Sequence, residues 1–76
     1  MAKCNGHSSR AAWNVSLWIN NDEGLYNIAR RAIRRNGTRQ QAATEILGEL
    51  RDLGTTHTPD GYRYTVTSIR AALVGF

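Results

Sequence analysis

Three kinds of side chain in this 76-residue sequence could do chemistry: one thiol, two imidazoles and a strong excess of guanidinium groups. Cys4 and His7 stand at the spacing of metal ligands, and His57 is a third donor. A structural zinc site takes four ligands, usually as two close pairs, and the second pair is missing here, so no metal is expected. Cys4, His57 and Asp60 can be written as a nucleophile, base and acid, but no strained elbow or oxyanion-hole pattern accompanies them. The carboxylates do not pair in the apolar pattern, and the glycines punctuate helix ends and turns rather than form a phosphate cradle. Neither enzymatic activity nor a cofactor is expected.

The guanidinium groups are the sharper signal. Nine of the ten basic residues are arginine, against six acidic residues, for a net charge of +4. Arginine presents a planar fork that matches carboxylate and phosphate and stays charged when partly buried. Arg30, Arg31, Arg34 and Arg35, with Arg39 shortly after, gather around one helix end with no acid among them. Crowded like charges repel one another. They suit contact with an acidic protein surface or with nucleic-acid phosphates, although a solvated helix face that satisfies the helix dipole would look the same. Tyr62-Arg63-Tyr64 interleaves aromatic and basic groups, as single-strand binders do. Arg30, Arg31, Arg34, Arg35, Arg39, Tyr62, Arg63 and Tyr64 are therefore the candidate partner-binding residues. The chain lacks recognition-helix spacing and a zinc-finger framework, which makes nucleic acid the alternative partner.

Those residues need elements to hold them. The chain is short enough for one domain, with a thin stability margin. A single cysteine excludes an internal disulfide and suits a reducing cytoplasm. No apolar run approaches the ~20 residues of a membrane span, and none follows the N-terminal lysine as a signal peptide requires. A cytoplasmic protein, monomeric or weakly dimeric and off the membrane, is expected.

Residues 1–10 are polar and aperiodic and read as a flexible arm, leaving 11–76 as a single compact domain. The stretch Trp13–Tyr26 holds both tryptophans and is expected to dominate the core, since aromatic rings bury the most area. Trp13, Val15, Leu17 and Ile19 alternate as in a strand, yet Trp13/Leu17 and Val15/Ile19 also pair at helical i,i+4 spacing. The helix is preferred. Asp22 then caps a second helix over Glu23–Arg35, whose Leu25, Ile28, Ala29, Ala32 and Ile33 share one side while the arginines fan across the other. Asn36-Gly37 ends it, with glycine free to turn left-handed.

Thr38 opens a third helix, with Gln41 in capping-box position; Ala43, Ile46, Leu47, Leu50 and Leu53 line one face, and Gly54 closes it. Pro59-Asp60-Gly61 is a turn. Residues 62–66 alternate as a short extended segment, and Thr67 caps a last helix that turns Ile69, Ala72 and Leu73 inward. The fold expected is mainly α, a small bundle of three to four helices. The alternative is α+β, with 13–19 as a strand paired to 62–66.

Trp13, Asn14, Val15, Leu17, Trp18, Asn21, Asp22, Leu25 and Tyr26 resemble a recurring Trp-Asn-Val-x-Leu-Trp-x-x-Asn-Asp-x-x-Leu-Tyr stretch of small phage- and plasmid-encoded proteins. The Thr58-Pro59-Asp60-Gly61 turn followed by tyrosines is a second similarity. The chain has Arg10-Ala11-Ala12 where that group carries an aromatic and an acidic residue. The group has no assigned activity, so the resemblance implies a setting rather than a chemistry. In that setting, small proteins without enzyme motifs are often inhibitors of bacterial immunity, anti-CRISPR proteins among them. The expectation is a protein that binds and blocks a CRISPR effector or another defence complex.

Overall fold

A computed structural model describes residues 10–74 and 76, which form four helices: α1 (Arg10–Asn21), α2 (Glu23–Arg35), α3 (Arg39–Asp52) and α4 (Val66–Ala72). Arg10 opens α1 rather than closing an arm; Cys4, His7 and the rest of the expected arm lie outside the described residues. In α1 the buried apolar residues are Ala12, Val15 and Ile19, while Trp13 and Leu17 are only half-buried. That is the three-to-four spacing of a helix, not the alternation of a strand. The chain turns at Asp22, whose carboxylate accepts from the Leu25 N–H at 3.0 Å and starts α2. Its negative charge also suits the positive end of that helix.

α2 ends differently from expectation. Asn36, not a left-handed glycine, satisfies the last turn: its backbone N–H and its Nδ2 both donate to the Ala32 carbonyl, at 3.1 and 2.7 Å. A side chain that can reach an open carbonyl removes the need for a left-handed residue, and Gly37 is not among the positive-φ glycines. The Thr38 hydroxyl accepts from the Gln41 N–H at 3.1 Å and opens α3. At its far end Gly54 (φ +76°) does turn left-handed. Thr55 N–H then donates to Leu50 O and Gly54 N–H to Arg51 O, the paired bonds of a Schellman ending. Leu53 lies beyond the last turn and is 66% exposed, so it leaves the expected apolar face.

The segment after α3 pairs with itself. Thr58 O accepts from Gly61 N–H at 2.8 Å across the Pro-Asp turn, Thr58 N–H donates to Tyr62 O, and Tyr64 N–H to Thr56 O. His57 and Arg63 form one isolated bridge. Residues 62–64 thus pair with 56–58, not with 13–19, and no strand occurs among the described residues. The fold is a small helical bundle. Thr65, rather than Thr67, caps α4: its hydroxyl accepts from Ser68 N–H, and Ser68 Oγ accepts in return from Thr65 N–H. Thr65 is the threonine with a hydroxyl three residues on to complete the exchange.

The helices close a ring in which α1 and α3 each pack on both α2 and α4. Its centre is aliphatic: Val15, Ile19, Ile46, Leu50, Ile69 and Leu73 are the largest fully buried side chains. Ala29 and Ala32 of α2 meet a core shared with Ala42 and Ala43 of α3, and such short side chains let helix backbones approach closely. The expected tryptophan-dominated core is therefore corrected. Narrow spacing leaves little room for an indole between helices, and Trp13 and Trp18 lie half-buried at its rim. No helix among the described residues is long and apolar enough to cross a membrane.

Candidate functional site

The arginine fan of α2 divides into two edges. Arg31 and Arg35 point along α3, where their guanidinium groups lie 3.7 Å from Glu49 and Glu45. The 31–49 and 35–45 pairing is the antiparallel register that the short Asn36–Thr38 joint imposes. Both arginines remain well exposed, so the pairs are weak. On the other edge the Arg30 guanidinium lies 5.9 Å from the centroid of the Tyr26 ring, which itself tilts against Phe76 with centroids 5.0 Å apart. Arg34, one turn further on, is exposed and makes no ion pair with a described residue. The single acid-free cluster read from the sequence thus becomes two paired arginines beside α3 and two without carboxylates, Arg30 and Arg34.

The tyrosine–arginine strip also separates. Arg63 is exposed and Tyr62 half-buried, but Tyr64 is 4% exposed and belongs to the core. Burial, reinforced by the charge of Asp22, pushes its phenol pKa up. Tyr64 therefore holds the loop to the bundle and cannot serve as a contact surface.

Arg39 meets a residue that sequence reading passed over. At the elbow between α2 and α3, Arg39 and Arg70 line an open groove of about 810 Å³ with Gln40, Thr38, Ile33, Leu73 and Phe76. Arg70 Nη1 reaches Gln40 Oε1 at 3.4 Å. No aspartate or glutamate is among the described residues that line the groove. Arg70 lies thirty-one positions from Arg39, so no local pattern could join the two; α4 carries it there.

Asp60 has a structural task. Asn14 Nδ2 and Trp18 Nε1, one turn apart on α1, both donate to Asp60 Oδ2 at 2.8 and 3.0 Å. The two hydrogen bonds, Asn14's first, hold the Asp60 carboxyl below the usual aspartate pKa. This clamp ties the Thr58–Gly61 turn to α1. Because the folded pKa is lowered, the clamp's contribution is complete above the unfolded value and is lost as pH falls through the folded one. Below about pH 4 the thermal midpoint is expected to drop and the Trp18 emission to shift. An Asp60→Asn variant is expected to show a shallower acid transition; an unchanged one would sever the link.

Among the described residues, no three of His, Cys, Asp and Glu gather to hold a metal. His57 is exposed, its Nδ1 2.8 Å from Thr56 Oγ1.

The clamp joins two distant stretches of the chain, Trp13–Tyr26 and Thr58–Gly61, into one structural unit. A family model described as a family of unknown function, DUF7249, matches residues 1–74. The chain belongs to that family. No curated protein and no solved structure matches it. Membership in DUF7249 spans α1 through α4, and so includes the clamp and the groove's lining except Phe76.

Proposed function

We propose that this DUF7249 protein is a stoichiometric binding protein that docks its arginine edge on an acidic surface of a bacterial defence complex and so inhibits it. A CRISPR effector is the first partner to test, on the strength of the likeness to small mobile-element proteins. The observation that carries the reading is that Arg30 and Arg34, one helical turn apart, stand exposed without carboxylate partners. Their neighbours Arg31 and Arg35 already face glutamates. Unpaired surface cations of this kind steer association with an oppositely charged partner.

Mixing the protein with purified effector is expected to give a stable complex that no longer binds target DNA. Arg30→Glu with Arg34→Glu is expected to weaken that complex by about a hundredfold, each charge reversal at a docked contact costing on the order of tenfold or more. If the double variant inhibits like the parent, the arginine edge is not the contact. A gel-shift series with random-sequence DNA and RNA separates the nucleic-acid alternative, whose affinity would fall with salt at a log–log slope of roughly −0.9 per phosphate contacted.

A further inference from the structure

The groove at the α2–α3 elbow has a composition that the arginine edge lacks. Arg39 and Arg70 come from different helices and stand at its rim, while Ile33, Leu73 and Phe76 supply apolar lining. Its acids are elsewhere: Glu45 and Glu49, the carboxylates of α3 that pair with arginine, are engaged by Arg35 and Arg31. Arg39 also sits in the first turn of α3, with no acid beside it there. A cation at that end opposes the helix dipole, so the fold gains nothing from its charge. Two guanidinium groups over an apolar lining complement a ligand that carries both carboxylates and an aliphatic side chain.

We infer that this groove receives an acidic segment of a protein partner, with an aliphatic side chain against Ile33 and Phe76 and flanking carboxylates on Arg39 and Arg70. The inference deepens the proposed binding role and rests on it for the partner being a protein. Single-stranded nucleic acid fits less well. Successive bases need a row of rings to stack on, and the groove offers one, Phe76, already packed on Tyr26. An aliphatic side chain needs only the apolar lining.

The test uses the full chain and three fluorescein-labelled probes of equal length: a peptide alternating glutamate with leucine, one alternating lysine with leucine, and an oligothymidylate. Fluorescence polarisation is expected to show binding of the glutamate peptide alone. Arg39→Glu with Arg70→Glu is expected to weaken it by about tenfold or more, and Phe76→Ala by about fivefold, the loss of roughly 1 kcal/mol of apolar contact. Arg10→Glu with Arg51→Glu makes the same change in net charge at two exposed residues that do not line the groove, and should alter binding by less than about twofold.

Equal weakening by the two double variants would reduce the effect to net charge and overturn the inference. So would tighter binding of the oligothymidylate, lost in the Arg39/Arg70 variant. Arg39→Glu removes a dipole clash, so misfolding does not account for lost binding, and a retained thermal midpoint checks this. The two readings fail separately. Groove-dependent peptide binding beside an unaffected effector keeps the groove and removes the inhibitor role. Absent peptide binding beside an effector blocked through Arg30 and Arg34 does the reverse.

Discussion

Ile69→Ala is expected to leave much of the protein unfolded at physiological temperature. α4 has seven residues, too few to be stable as an isolated helix, so its packing against α1 and α3 must hold it in place. Ile69 is fully buried at that junction. Truncating it removes apolar contacts and leaves a cavity, at a cost of about 2–5 kcal/mol. A domain this small starts near the lower end of the usual ~5–15 kcal/mol range, so the loss consumes most of the margin. Urea unfolding followed by far-UV circular dichroism would measure it. Leu53→Ala, at an exposed leucine of similar size, is the control and should stay within about 0.5 kcal/mol of the parent. Equal midpoints for the two variants would contradict the burial of Ile69 where α4 packs on α1 and α3.

Asn14→Asp is expected to be nearly as damaging at neutral pH and much milder in acid. Asn14 is buried and its amide donates to the Asp60 carboxylate at 2.8 Å. Replacing the amide by a carboxylate exchanges a donor for a negative charge against another negative charge. A buried charge left without compensation costs about 3–5 kcal/mol. As pH falls from neutral toward about 4, one carboxyl of the pair, its pKa raised by burial and by the like charge beside it, takes up a proton and can donate to the other, so the gap to the parent narrows. Thermal melts at neutral and acid pH would show that convergence. A constant gap would mean that Asn14 and Asp60 do not meet. Asn14→Ala should be gentler, at about 1–3 kcal/mol. The Asn14 Oδ1 is buried without a hydrogen-bond partner, and truncation removes that orphan along with the useful donor.

These two positions differ in how far sequence could find them. Ile69 lies on a helical face with Ala72 and Leu73 and was legible as core. Asn14 reads as a polar residue on the outside of a helix. Its burial depends on a turn forty-six positions away folding down onto α1. The signal was present in two dispersed motifs, Trp13–Tyr26 and Thr58–Gly61, but nothing in either says that they touch. Thirty-one positions of sequence likewise separate Arg39 from Arg70, which is why the arginine cluster could be seen and the groove could not. Neighbouring arginines on α2 suggested one surface, whereas the glutamates of α3 divide it. Tyr62 and Tyr64 looked equivalent in an alternating segment; the turn at Asp60 folds that segment back and sends Tyr64 alone into the core.

What the sequence determined by itself is local. Periodicity and capping chemistry set α2 over Glu23–Arg35 and the starts of α2 and α3 at Asp22 and Thr38, because a helix begins where a side chain within three residues can take up its free amides. Tertiary structure decided the rest: the aliphatic centre with tryptophans at its rim, the division of the arginines, the Asp60 clamp and the two-arginine groove. Each requires side chains from different helices to meet. Close packing of the alanine-rich α2–α3 pair, with α4 laid between α1 and α3, fixes those meetings in a way that no short-range pattern encodes.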